Sequence, residues 1–303
     1  MPPEAPNPDL DSFTAVRPDL VGLAYRMTGS LATAEDIAQD AFLRWRATPR
    51  EQIETPRAYL LKTAARLSLD HLKSARVRRE RYVGPWLPEP VVEDAEAPQQ
   101  AALARAQDVS VAMLLTLQRL SPAERAVFIL HDLFDTPFPE IAALLRRTEP
   151  ACRKLASRAR SHLEQHEPRF AVDDAEATRI ATAFQRATAA GDLATLRGLL
   201  AENASFHSDG GGIRPAALRV VTGLEKCLRL IAGIARKRPA PPQLLHAGRI
   251  NGLPGYVTME HDGLPQTTAL EVEDGRITAI YVMRNPEKLE AIRHRFQQPT
   301  PPA

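Results

Sequence analysis

Hydrophobic positions in the first half of this chain recur at spacings of three and four residues, the signature of helices with one buried face. Ala34, Ile37, Ala38, Ala41, Phe42 and Trp45 form one stripe, and Leu60, Leu61, Ala64, Leu67, Ser68 and Leu72 form another. A third runs through Cys152, Leu155, Ala156, Ala159 and Leu163. Beyond about residue 173 the pattern changes. Two helical stretches, ATRIATAFQRATAAG and DLATLRGLLA, precede strand-like pieces: ASFHS, YVTME, TTALEVE and RITAIYVM. The last two are joined by Glu273-Asp274-Gly275-Arg276, a hairpin signal. The pattern predicts a multidomain chain, all-α in front and α+β behind.

Local punctuation refines this division. Thr33-Ala-Glu-Asp36 reads as a capping-box variant that opens a helix. VGPWLPEPVVEDAEAPQQ has little helical period and reads as an extended linker. From Leu120 to Leu163 three starts follow closely: Ser121 with Pro122 and Glu124, a short helix over Pro139 to Leu145, and Thr148 with Glu149 and Pro150. This is a helix-turn-helix pattern. Its turn, where glycine is common, carries Arg146. Domains are expected over 9–81, 102–166 and 174–292, with a linker over 82–101 and a tail over 293–303.

Net charge adds little, because 39 basic side chains nearly balance 37 acidic ones. Their distribution adds more. Asp9 to Glu54 holds eight acids against five bases, whereas Arg57 to Arg81 holds eight bases against two acids. On the first helix the spacing leaves Glu35, Asp36, Gln39 and Asp40 outward. On the second, Lys62, Arg66, Asp70 and Lys73 lie opposite the apolar stripe, with Arg57 and Tyr59 near its start and RVRRER beyond its end. Such a ridge suits phosphates, and an aromatic ring beside it suits stacking. On the last helix Arg153, Lys154, Ser157 and Arg160 face outward with Arg158 on the flank, a face that can enter a major groove.

Cys152 and Cys227 lie far apart without CxxC spacing, so free thiols in a reducing compartment are expected, with no metal site and no cofactor. The start, MPPEAPNPDLD, lacks a basic-then-apolar leader, and no stretch approaches the roughly 18 apolar residues of a membrane helix. The expectation is a cytoplasmic protein with no membrane contact.

The acidic-faced AEDIAQDAFLRW, the basic TPRAYLLKTAARLSLDHLKS, a linker and the helix-turn-helix, in that order, resemble regions 2 and 4 of a bacterial sigma factor of the extracytoplasmic-function type. WLPEPV (Trp86 to Val91), DGGG (Asp209 to Gly212) and NPEKL (Asn285 to Leu289) resemble the subgroup with a fused SnoaL-like, NTF2-like C-terminal cone, the sigma J type. The resemblance implies a non-enzymatic factor that binds core RNA polymerase, through its β′ clamp helices and β flap, and directs it to promoter DNA. It puts Asp36, Gln39 and Asp40 on the polymerase-docking face. Arg57, Tyr59, Lys62, Arg66, Lys73 and Arg76, with the preceding loop, would melt and read the promoter −10 element. Thr148, Arg153, Lys154, Ser157, Arg158 and Arg160 would read the −35 element as duplex. Trp86, Pro88, Asp209, Gly210, Gly211, Gly212, Asn285 and Pro286 would form contacts through which the cone regulates the factor in cis. The basic residue that usually follows DGGG directly stands one place later, at Arg214.

SDGGGIRPA itself lacks the lysine and spacing of a phosphate-binding loop. Consecutive glycines also permit close backbone approach, and an internal contact with the front domains or their linker is the expected use. Cones of this fold often enclose an apolar pocket that a small ligand could enter. Within it, His207, Asp209, His246, Tyr256 and His261 are the candidates for proton chemistry, and satisfied structural roles are favoured for all five. Two rival functions remain open at this stage: an isomerase-like or cyclase-like enzyme, which would need convergent acid and base groups inside the cone, and a polymerase-independent repressor, which would need one DNA domain and a dimer interface.

Overall fold

A computed structural model describes residues 8–49, 51, 53, 55–79, 82–93, 111–164 and 174–297. They fall into two compact units, one from 8–79 and 113–164, the other from 82–93, 111–112 and 174–297.

The first unit is helical. Helices α1 (Pro8–Thr28), α2 (Leu31–Ala47) and α3 (Pro56–Arg79) pack against one another around Leu20, Leu23, Tyr25, Ala34, Trp45, Leu60 and Ala64, all buried. The cap of α2 departs from the expected Thr33. Gly29, in the left-handed region at φ 75, turns the chain out of α1, and Ser30 then sits extended with its hydroxyl accepting from Thr33 N at 3.2 Å. Thr33 therefore supplies the capped amide rather than the cap. Four shorter helices follow: α4 (Val111–Arg119), α5 (Pro122–Phe128), α6 (Phe138–Leu145) and α7 (Glu149–Glu164). Ser121 and Glu124 form the expected capping box on α5, which widens into a π-helical turn over Ile129–Leu133. Arg125 ties this half to α1: its buried guanidinium donates to the carbonyls of Met27, Leu117 and Leu120.

The second unit wraps a six-stranded mixed sheet, order β2-β1-β6-β5-β4-β3, around helices. Its elements are α8 (Asp174–Ala190), α9 (Leu193–Leu199), β1 (Leu200–Asp209), β2 (Val221–Thr222), α10 (Leu224–Lys237), β3 (Gln243–Ile250), β4 (Leu253–Met259), β5 (Pro265–Glu273), β6 (Arg276–Met283) and α11 (Glu290–Gln297). This is the α+β cone. Only β1 and β6 run parallel; the other neighbours are antiparallel. Asp274 and Gly275, at φ 49 and 73, make the two-residue turn joining β5 to β6. The expected helix over DLATLRGLLA ends at Leu199, because Leu200 turns extended and pairs with Ile277. Helix α10 and strand β3 had not been singled out in the sequence. The core joins Phe184, Leu196, Phe206, Leu228, Ile231, Leu270 and Ile280.

Candidate functional site

On α2 the apolar stripe is buried, so Asp36, Gln39 and Asp40 are exposed one turn apart, with Leu43 exposed beyond them. Glu35 is partly turned away and pairs with Arg17. The result is an acidic, partly apolar surface on a rigid helix.

On α3, Lys62, Arg66 and Lys73 are exposed opposite the buried Leu60, Leu61, Ala64 and Leu72. Lys73 pairs with Asp70 at 2.9 Å. Arg57 is held by Asp19 at 2.9 Å on α1, and the Tyr59 hydroxyl meets Thr48 Oγ1 at 2.7 Å. Tyr59 is thus only half exposed, less available for stacking than its position suggested. The side chain of Arg76 lies outside the described residues.

The helix-turn-helix closes as its spacing predicts, with Arg146 taking the left-handed conformation (φ 52, ψ 48) at the end of α6. A non-glycine residue there costs about 1–2 kcal/mol, offset here by Arg147 N returning to Ala142 O at 3.0 Å. Cys152, Ala156 and Ala159 are buried, so Thr148, Arg153, Lys154, Ser157, Arg158 and Arg160 are exposed. Two of these cations are already engaged. Arg153 pairs with Glu149 at 3.1 Å and lies over Phe138, and Arg160 pairs with Asp132 at 2.6 Å.

In the second unit the linker segment 82–93 lies on the α+β body. Asp209, at the end of β1, is fully buried and accepts four hydrogen bonds. Oδ1 receives Tyr82 Oη (2.6 Å) and Gly211 N (3.0 Å); Oδ2 receives Leu87 N (2.9 Å) and Lys288 Nζ (2.8 Å). Lys288 also donates to Leu87 O at 2.6 Å and sits 4.2 Å from the Trp86 ring centroid. Asn285, itself buried, donates to Tyr82 Oη at 2.9 Å and accepts from Glu287 N. Burial and the Asp209 acceptor push the Tyr82 phenol up, so it stays a donor.

The glycines have a specific use in this clasp. Gly211 and Gly212 take φ 64 and 73; a side chain at Gly211 would collide with the Asn285 amide, and one at Gly210 with the Arg214 carbonyl. Arg214 is buried and braces the turn from behind. It holds Asp262 through two nitrogens at 2.9 Å each and donates to Pro265 O at 2.9 Å. Further along, Pro88 is buried, and Val92 pairs antiparallel with Ile250 at the open edge of β3, with Glu93 N donating to Arg249 O at 3.0 Å. The linker thereby pairs with that edge through one isolated β-bridge.

The five candidates for proton chemistry separate. Tyr256 and His261 line a cavity of about 530 Å³ between α8, α10 and the sheet. Burial pushes the Tyr256 phenol up to about 12. Asp209 is spent on the linker, His207 stacks on Tyr281 at 5.0 Å, and His246 lies 6.0 Å from Phe296; none of these three lines the cavity. Sequence reasoning missed Tyr82 and Lys288 in the clasp, and Arg238, Glu260 and Arg284 around the cavity; Arg214 it had marked as the basic residue after DGGG, without the bracing role. Lys288 had a signal in its place within NPEKL. Among the described residues no His, Cys, Asp and Glu cluster could hold a metal, both cysteines are buried free thiols, and no helix is long and apolar enough to cross a membrane.

Two basic helical faces preceded by an acidic one are the arrangement of a sigma-70-type promoter-recognition protein, the class to which the following matches assign the chain. Residues 13–78 match the family description Sigma-70 region 2, and residues 110–163 match Sigma-70, region 4. The ECF RNA polymerase sigma factor SigJ of Mycobacterium tuberculosis is 39% identical over 306 residues, covering 96% of this chain and 97% of the relative. SigI of the same organism is 34% identical over 286 residues, covering 93% and 95%. The crystal structure of M. tuberculosis SigJ matches with a TM-score of 0.75 at 37% identity, covering 93% of this chain and 98% of that one. The chain belongs to the extracytoplasmic-function sigma factors of bacterial RNA polymerase, which direct promoter recognition and transcription initiation.

Proposed function

We propose that this sigma factor docks on core polymerase through Asp36, Gln39 and Asp40, opens and reads the −10 element with the exposed face of α3, and reads −35 duplex with α7. The α+β unit regulates these steps in cis through its grip on the linker. The observation that carries the regulatory part is the buried Asp209, which accepts hydrogen bonds from both Tyr82 and Leu87 of the linker. A segment held by a fully buried carboxylate, a lysine and a β-edge is not a free tether. The chain that joins the two promoter-reading regions therefore answers to the state of the cone.

Docking is tested by capture of core polymerase. Asp36 and Asp40 are exposed, so charge reversal to Lys leaves the fold intact while setting like charges against a basic partner. Capture by the Asp36→Lys/Asp40→Lys chain is expected to fall about tenfold or more. Capture equal to wild type would remove the acidic face from the account.

A further inference from the structure

The cone cavity has a lining that regulation through the linker does not use. Its lining is mainly apolar, with Phe184, Phe206, Ile231, Ile234, Ile280 and Val282 facing about 530 Å³ of space, within the range that takes a drug-sized molecule. One end is charged. Arg238 and Arg284 stand there with a single lining carboxylate, Glu260, which is already engaged by Thr258 Oγ1 at 3.1 Å and Arg238 at 3.4 Å, and the other acid acting on Arg284, Asp262, is held by Arg214. Arg284 keeps a buried Nε–H with no acceptor among the described residues, while its Nη1 donates to the Pro215 carbonyl. Its neighbour Arg214, by contrast, is fully used by Asp262 and the Pro265 carbonyl. Burial and the facing Arg214 and Arg238 charges lower the proton affinity of Arg284, a conflict that an added anion would relieve.

We propose that this cavity binds a small amphiphile, an apolar body carrying one anionic group, with Arg284 and Arg238 holding the anion. Arg284 and Arg238 supply charge-assisted donors at the polar end, and the aromatic and branched side chains take the body by burial. The acyclic and aromatic carboxylates share this chemistry and differ in the body alone. A hollow serving only as packing space between helix and curved sheet would need neither the excess of cations nor the unmatched donor.

The test uses the full-length chain without polymerase, so its failure is distinct from failure of the transcription reading. Anilinonaphthalene sulfonate fluorescence is followed as decanoate, 1-decanol, 2-naphthoate or 2-naphthol displaces the probe. At least one carboxylate is expected to displace it at a concentration about tenfold below that of its neutral counterpart, and which pair does so identifies the body. Arg284→Met should abolish that preference while leaving the neutral compound unchanged, and Ile234→Trp, which fills the cavity, should weaken both. Equal displacement by acid and alcohol in the wild-type chain overturns the proposal, as does no displacement by any of the four. So does a preference that survives Arg284→Met, or displacement unaffected by Ile234→Trp. Should Arg284→Met not fold, the wild-type comparison and Ile234→Trp decide.

Discussion

Asp209 joins two linker residues, the glycine turn and the lysine of NPEKL through one side chain. A carboxylate with no solvent exposure persists only when paired and hydrogen-bonded, and it has one cation and three neutral donors. The partners are not equal. Asp209→Asn removes the charge opposite Lys288 and also turns an amide donor toward a pair of donors, either Tyr82 Oη and Gly211 N or Leu87 N and Lys288 Nζ, so breaking the pair from this side costs about 3–5 kcal/mol. Lys288→Met leaves the carboxylate with Tyr82, Gly211 and Leu87, so its cost is closer to that of one charged hydrogen bond, about 1.5–3 kcal/mol. Urea unfolding of the two variants should rank them in that order. The reverse ranking would mean that Lys288, and not the three neutral donors, contributes most to holding the Asp209 side chain in place.

At the scale of elements, what was legible follows from what is local. The stripes of α2, α3 and α7, the Ser121 capping box and the Asp274-Gly275 turn each depend on residues a few positions apart. Their structural outcome could therefore be read from spacing. Arg146 shows the same logic, since a turn of that length demands a left-handed residue whatever its side chain. The clasp was legible only as three isolated motifs, because Tyr82, Asp209 and Lys288 are 127 and 79 residues apart along the chain. No periodicity reports such a meeting. The α2 cap was misplaced by three residues because Ser30 and Thr33 are equally good caps in isolation, and the Gly29 turn decides between them. Helix α7 carries a prediction of its own. Lys154 and Arg158 are exposed, whereas Arg153 and Arg160 are held by Glu149 and Asp132. Lys154→Ala should thus weaken −35 binding by about 1–3 kcal/mol if it reads a base, without lowering the unfolding midpoint. Holoenzyme footprinting with unchanged affinity would exclude Lys154 from the contact.

Taken whole, the chain joins a helical unit carrying the two sigma regions to an α+β unit that grips residues 82–93 between those regions, and the proposed regulation requires the two to be coupled. Such coupling acts when one state of the grip favours initiation over another, and couplings of this kind typically change affinity about fivefold or more. Gly211→Val attacks the grip without touching charge, because φ 64 and the Asn285 amide leave no room for a side chain. The decisive measurement is run-off transcription from a cognate promoter with core polymerase, comparing the wild-type chain, Asp209→Ala and Gly211→Val at matched concentrations of folded protein. The account predicts promoter-specific transcript from the wild-type chain and a change of about fivefold or more, in the same direction, in both variants. Three indistinguishable activities would contradict it, reducing the clasp to a structural fastening that transcription never senses.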